Sequence, residues 1–210
     1  MINFTLTIDG KKKTINSPSA WNELTLYQFI RIENEFMKDK ENFILLFNIL
    51  TGLDIEFLEG SKDKEVEKQL YRICAFICEP IELDNVTHSD ALLINGDAVM
   101  IPKDLSDITL GQKIMVSQAI KNIDDIVTKI PIVLANIMQP AKDGKYDRHK
   151  VKELEVIIND CNGLECYSLA KGFFLRSKIL NNIGLTNSKA YQSQRMRQRN
   201  ISPKWLTEIG

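Results

Sequence analysis

The sequence predicts a mainly α-helical protein with a helical bundle-like body. Two short β-hairpins add a minor α+β component. Two observations predict it. Apolar residues recur at helical spacing over most of the chain, and a weak internal repeat twice places a turn dipeptide before a proline and a helix cap. Hydrophobic residues make up 44% and charged residues 26% of the chain. These are globular values and exclude a wholly disordered protein.

Each copy of the repeat opens with a hairpin signature. Asp9-Gly10 and Asn95-Gly96 are dipeptides that tolerate positive φ and favour the tight turn between two antiparallel strands. Pro18 and Pro102 follow at the same place in each copy and end the second strand, because proline donates no ladder hydrogen bond. The sequence therefore predicts two hairpins, each closed by a proline corner.

A capping box follows each proline. Thr25 and Gln28 in the first copy, and Thr109 and Gln112 in the second, have the Thr-x-x-Gln spacing of such a box. The threonine oxygen accepts from the N3 amide, and the glutamine side chain accepts from the threonine amide. We interpret the shared order of these elements as a duplication or a shared structural solution. The alternative is chance recurrence of common turn and cap residues.

Helical patterns fill the rest of the first half. They predict helices over residues 25–38 and 41–50, the latter ended by Gly52 in a C-cap. A short helical turn is predicted over 54–58, and a longer helix with one apolar stripe over 61–78, capped by its serine.

In the second half the capped helix is predicted over residues 109–122. Pro131 is suited to the first turn of a new helix, with 132–138 as a buried segment. Pro140 is predicted to stop that helix, and 141–147 to form an exposed loop.

The last predicted helices span 150–160 and 164–181. The chain thus divides into a first hairpin-plus-helix half, 1–84, and a second, 85–186. Few Gly, Ser or Pro residues separate the halves, so we expect them to pack as one body. Residues 187–210 form a separate basic C-terminal arm.

Composition and cysteines bear on location and metals. The net charge of −1 gives no global attraction to nucleic acid or membrane, and the longest apolar segments are far too short for a membrane span. With no secretory signal at the start, we expect a soluble protein in a reducing cytoplasm. The cysteines are compatible with a zinc site, but buried reduced thiols fit their spacing better. They are Cys74, Cys78, Cys161 and Cys166.

Residues with catalytic potential are scattered. His88 and His149 lie in polar contexts without neighbours at metal-ligand spacing. Glu33 with Glu35, and Asp124 with Asp125, are too close in sequence to face each other on a helix. No nucleotide-binding, hydrolase or metalloprotease motif is present. We therefore predict no catalytic residue, no metal, no cofactor and no enzymatic activity.

The C-terminal arm carries the candidate partner-binding residues. It is basic and interrupted by aromatic side chains, which is typical of a segment that orders on an acidic protein or a nucleic-acid backbone. An ordinary basic tail is the alternative. Trp is expected to anchor such an arm, because it supplies a large contact area. The predicted residues are Tyr191, Arg195, Arg197, Arg199, Lys204 and Trp205.

Two segments carry a resemblance to a known class of proteins. The pattern from Pro18 through Trp21, Glu23, Leu24 and Thr25 to Gln28 resembles the opening of small tailed-phage proteins from gut bacteria. The segment 169–175, Leu-Ala-Lys-Gly-Phe-Phe-Leu, is similar to a later part of the same kind of protein. The resemblance covers the N-terminal third and part of the last third, on structural motifs.

The resemblance implies a virion or assembly protein of a crAss-like podovirus, and within that class a ring-forming head–tail connector (neck) component. Its expected partners are other phage structural proteins and copies of itself, with nucleic acid as a further partner of the arm and no membrane. Its expected location is the host cytoplasm during assembly and then the virion. A tail-assembly chaperone and a nucleic-acid-binding regulator are the alternatives.

Overall fold

The computed structural model describes residues 1–8, 11–39, 42–60, 64–79, 89–120 and 126–177. They form two compact units. One comprises Met1–Leu24 and the described residues from Arg31 to Glu79; the other comprises Thr25–Ile30 and the described residues from Ser89 onward. Most described residues are helical, and each unit contains one two-stranded antiparallel sheet. The predicted fold class, mainly α with two short β-hairpins, is confirmed.

The first unit begins with a hairpin. Strand β1 (Ile2–Ile8) pairs antiparallel with β2 (Lys11–Ser17). Leu6 and Ile15 are buried on it, and Phe4 packs against Phe47 with ring centroids 6.0 Å apart. The predicted turn residues Asp9 and Gly10 lie outside the described residues.

The described part of this unit also contains helices α2 (Phe43–Thr51), α3 (Ile55–Gly60) and α4 (Lys64–Cys74). Helix α2 begins at Asn42, whose side chain accepts from the amide of Leu45, and it ends at Gly52 with φ 70°, as the predicted C-cap requires. The indole of Trp21 packs edge-on against Phe76 with centroids 5.8 Å apart. Its Nε1 donates to the carbonyl of Glu79 at 3.2 Å.

Two helices predicted as single elements end in tighter turns. Helix α1 (Leu26–Asn34) is followed by a 3₁₀ turn at Phe36–Lys38. Helix α4 gives way to a 3₁₀ turn at Ala75–Cys78. Both 3₁₀ turns still bury apolar side chains: Phe36 in the first, and Phe76 and Ile77 in the second. In the second turn Ile77 continues the apolar stripe predicted over 61–78.

The second unit contains the other hairpin, β3 (Ala91–Ile94) and β4 (Asp97–Met100). Asn95 and Gly96 join the strands with φ of 54° and 90°, which is the backbone of a type I′ turn. Arg176 connects the residues that flank this hairpin in sequence to the rest of the unit. Its Nε donates to the carbonyl of Lys103 at 2.7 Å, and its Nη1 lies 3.5 Å from the carboxylate of Asp90.

In the described part of this unit the body is built from helices α5 (Leu110–Ala119), α6 (Ile130–Asp143), α7 (Arg148–Asn159) and α8 (Gly163–Arg176). Helix α6 is the centre. It packs against α5, α7, α8 and β4, and its side chains from 133 to 139 are all buried. Pro131 lies in its first turn, as predicted.

The predicted stop at Pro140 is wrong. Helix α6 continues through Pro140 to Asp143, and Gly144 with φ 88° then ends it. A proline inside a helix leaves the carbonyl four residues earlier without its usual donor. That carbonyl belongs to Asn136, and it accepts instead from Nε2 of Gln112 at 2.8 Å. The helix therefore continues, and only residues 144–147 of the predicted loop connect α6 to α7.

No helix among the described residues is long and apolar enough to cross a membrane.

Candidate functional site

The predicted partner-binding residues of the arm lie outside the described residues, so their role stays a prediction. The same holds for His88 and for the acid pair Asp124 and Asp125. The remaining candidates divide into the two capped corners, a buried polar cluster, an exposed apolar surface and the cysteines.

Both predicted capping boxes are present as hydrogen bonds. Thr25 Oγ1 accepts from the amide of Gln28 at 3.2 Å, and Gln28 Oε1 accepts from the amide of Thr25 at 3.1 Å. The equivalent bonds between Thr109 and Gln112 are 3.3 Å and 2.9 Å long. Each box satisfies two amides that a helix N-terminus otherwise leaves unpaired, so these four residues have a structural function.

A second hydrogen bond repeats in both corners and was not predicted. Glu23 Oε2 accepts from the amide of Ser19 at 2.7 Å. In the other copy Asp107 Oδ2 accepts from the amide of Lys103 at 3.1 Å. Each acid is the last residue of a 3₁₀ turn of three residues, Trp21–Glu23 or Leu105–Asp107. The signal in the sequence is an acid two residues before the capping threonine in both copies.

Glu23 also forms an ion pair with the amino terminus. Its carboxylate is paired with the amino group of Met1. That bond and the amide of Ser19 lower the pKa of Glu23 from 4.5 to about 2. Glu23 is therefore held as an anion, which excludes it as a proton donor at neutral pH.

A buried polar cluster surrounds the middle of α6. Asn136 Oδ1 accepts from the hydroxyl of Tyr146 at 2.7 Å, and Asn136 Nδ2 donates to the carbonyl of Ile132 at 2.7 Å. Gln139 Oε1 accepts from the amide of Asp147 at 2.8 Å, and its Nε2 donates to the carbonyl of Lys145 at 3.1 Å. Each amide side chain is thus engaged through both its oxygen and its nitrogen.

This cluster is suited to structure and not to catalysis. Gln112, Asn136 and Gln139 are buried and neutral. Their hydrogen bonds go to backbone groups and to the side chains of Thr109, Asp143 and Tyr146. Burial raises the pKa of Tyr146, with Arg148 acting in the opposite direction, so the phenol stays protonated and keeps its bond to Asn136. The cluster fixes the connection between α6 and α7.

The solvent-facing side of the second hairpin is apolar. In the register of β3 and β4, Ala91 lies opposite Met100, and Leu93 lies opposite Ala98. Leu93 and Met100 are 65% and 56% exposed. The other side of the hairpin is buried through Leu92, Ile94 and Val99. We call the first four residues the hairpin face. The hairpin face was not predicted, although Leu-Leu-Ile and Ala-Val-Met lack the alternation of apolar and polar residues expected of a strand with one solvent-exposed side.

Helix α5 also exposes apolar side chains. Leu110 and Ile114 are 73% and 45% exposed, and their spacing of four places them on one side of the helix. Gln112 and Val116 occupy the buried side. We call the exposed pair the α5 stripe. Like the hairpin face, it offers apolar area that the described residues of this chain leave uncovered.

The cysteines are reduced and fall into two pairs. Cys74 is fully buried, and burial raises the pKa of its thiol. Cys161 lies just after α7 and is part-exposed, with its Sγ 3.5 Å from the carbonyl of Ile157 and 3.9 Å from that of Leu93. A hydrogen bond between Cys161 and the buried Cys166 lowers the pKa of the first thiol and raises that of the second.

The other predicted candidates are structural or solvated. Glu35 forms an ion pair with Arg31 on the next helical turn, and the hydrogen bond to Arg31 lowers its pKa. His149 is exposed in the first turn of α7, where its amide is capped by Asp147 at 2.8 Å. Within the described part of the chain, no group of three or more His, Cys, Asp or Glu side chains is arranged to hold a metal ion.

Comparison with known proteins adds no relative: no family model, no curated protein and no solved structure matches this chain.

Proposed function

We propose that this protein is a non-enzymatic structural component of a tailed bacteriophage, most specifically a ring-forming head–tail connector (neck) protein. It acts through protein–protein contacts with copies of itself and with other virion proteins. The host cytoplasm is its place of assembly and the virion its final place. The resemblance of the Pro18–Gln28 pattern and of residues 169–175 to small tailed-phage proteins supports this proposal.

The observation that carries an assembly function is the exposure of apolar side chains on regular elements. The α5 stripe and the hairpin face are held in place by a capped helix and a paired strand, so their positions do not depend on a loop. Rigid, exposed apolar side chains are the usual material of protein interfaces. The buried amide side chains of the same unit are engaged in the cluster around Asn136.

The basic arm supplies a second kind of contact under this proposal. Arg195, Arg197 and Arg199 are suited to an acidic neighbour or to a nucleic-acid backbone. Replacing all three by Ser is expected to weaken incorporation into particles. Unchanged incorporation of that variant would remove the arm from the proposal.

Quantitative mass spectrometry of purified particles is the first test. A fixed copy number per particle is expected, because a closed ring contains a set number of subunits. Absence from particles together with abundance in infected cells would overturn the virion assignment and favour a tail-assembly chaperone. Abundance in infected cells on host or phage nucleic acid would favour a regulator.

The contact surface is tested with the full chain. A Leu110→Ser, Ile114→Ser double variant is expected to reduce self-association or incorporation while the melting temperature stays near that of the wild type, since both side chains are already exposed. Gln118→Ala is the matched control, because Gln118 is an exposed polar residue of the same helix. Equal assembly of the double variant and the control would exclude the α5 stripe as an interface.

A further inference from the structure

The connection between α7 and α8 brings two thiols together. Asn162 is the N-cap of α8, and its side chain accepts from the amide of Glu165 at 3.0 Å. Cys161 is therefore the residue before the cap, and Cys166 is the fourth residue of the helix. These are the two positions whose side chains meet across a helix N-terminus in the hydrophobic staple. In this chain both are cysteines, and each thiol acts on the pKa of the other.

The two thiols differ in access. Cys166 is 0% exposed, whereas Cys161 is part-exposed and lies beside the carbonyls of Ile157 and Leu93. A small reagent in solution therefore meets Cys161 first. Cys166 is placed to react only with what has formed on Cys161. This is the arrangement of a nucleophilic and a resolving thiol.

We propose that Cys161 and Cys166 form a reactive dithiol that small disulfides convert to an intramolecular disulfide by way of a mixed disulfide on Cys161. The inference is independent of the phage assignment.

The reaction balances in two exchange steps. The Cys161 thiolate attacks one sulfur of the oxidant, a new S–S bond forms, and the other half of the oxidant leaves as a thiolate that takes a proton from water. The Cys166 sulfur then attacks Sγ of Cys161, and its proton passes to the departing half of the oxidant. The second half of the oxidant leaves as a thiol. Two protein thiols are oxidised to one disulfide, and one small disulfide is reduced to two thiols.

The neighbouring charges select the oxidant. Asp160 and Glu165 flank the pair, are exposed, and act electrostatically on Cys161 as negative charges. A cationic disulfide is attracted to this site and an anionic one is repelled. We therefore expect cystamine to oxidise the pair faster than oxidised glutathione does at equal concentration, and added salt to reduce the difference.

The test treats the reduced full chain with cystamine and follows intact mass and peptide maps over time. The expected product has lost two hydrogen atoms and contains a Cys161–Cys166 disulfide, while Cys74 stays reduced. Cys74 is the internal control, because it is a buried cysteine with a neighbouring cysteine, Cys78, four residues later.

Two variants separate the steps. Cys166→Ala is expected to stop at the mixed disulfide on Cys161, and Cys161→Ser to leave Cys166 unmodified at least about tenfold longer than Cys161 survives in the wild type. Circular dichroism of each variant checks that the chain is folded. A mixed disulfide on Cys161 that persists in the wild type, or a disulfide formed between chains or with Cys74 or Cys78, would overturn the proposal.

Discussion

The side-chain amide of Gln112 donates to the carbonyl of Asn136 at 2.8 Å, the carbonyl that Pro140 leaves without a backbone donor. The same side chain accepts from the amide of Thr109 at 2.9 Å. Gln112 therefore takes part in the capping box of α5 and also supplies the hydrogen-bond donor that Pro140 lacks in α6. Gln112 and Asn136 are both buried in the second unit, so Gln112 connects the second capped corner to the central helix.

The first prediction concerns that connection. Gln112→Glu keeps an oxygen for the cap but removes the donor to Asn136, so we expect it to lower the free energy of unfolding by about 2–3 kcal/mol. Pro140→Ala supplies a backbone N–H for the same carbonyl. In that background the loss from Gln112→Glu is expected to be smaller by about 1 kcal/mol. Urea unfolding of the four chains measures this coupling, and purely additive losses would contradict the proposed repair.

The second prediction uses the equivalence of the two corners. Thr25→Ala and Thr109→Ala each remove the side-chain acceptor for an N-terminal amide, and each is expected to lower the free energy of unfolding by about 1 kcal/mol. Ser at either position keeps the hydroxyl and is expected to restore most of the loss. Thermal unfolding of the four variants tests this; a Ser variant as unstable as its Ala counterpart would show that the methyl group matters and the cap does not.

The third prediction concerns Tyr146. Tyr146→Phe leaves Oδ1 of Asn136 without its partner and is expected to lower the free energy of unfolding at neutral pH by about 1–2 kcal/mol. Burial raises the pKa of this phenol above its ordinary value of 10.0. A raised folded-state pKa means that its contribution is complete below that value and is lost as pH rises through the raised pKa. The wild type should therefore lose more stability than the Phe variant in alkaline solution; parallel curves would contradict this.

The fourth prediction concerns Glu23, whose pKa is lowered, and the stability of the protein in acid solution. The amino group of Met1 and the amide of Ser19 lower the pKa of Glu23 from 4.5 to about 2. A lowered folded-state pKa means that the contribution is present above 4.5 and is lost as pH falls toward 2. Melting temperatures of the wild type and Glu23→Gln should differ at neutral pH and converge over this window. Glu33→Gln is a control, and a difference that persists to the lowest pH would exclude the carboxylate as its source.

Local patterns in the sequence determined much of the fold. Turns and helix caps depend only on neighbours within a few residues. Those predicted at Asn95-Gly96, at Gly52 and at both Thr-x-x-Gln boxes occur in the structure with the expected backbone or hydrogen bonds. Helix type and order were predictable for the same reason. Most helix ends were predictable to within a few residues, except where a 3₁₀ turn replaced the last α-helical turn, as at Phe36–Lys38.

Structural features that depend on residues far apart in the sequence were decided only by the tertiary structure. Pro140 predicts the end of a helix on its own, and the helix continues because Gln112, far away in the chain, supplies the missing donor. Both sides of β3 and β4 carry apolar residues, so the sequence does not indicate which side of the hairpin is buried. Packing within the second unit buries Leu92, Ile94 and Val99 and leaves Leu93 and Met100 exposed to solvent. A sequence pattern determines the partners within one or two turns, whereas the satisfaction of a buried group depends on whatever packing places beside it.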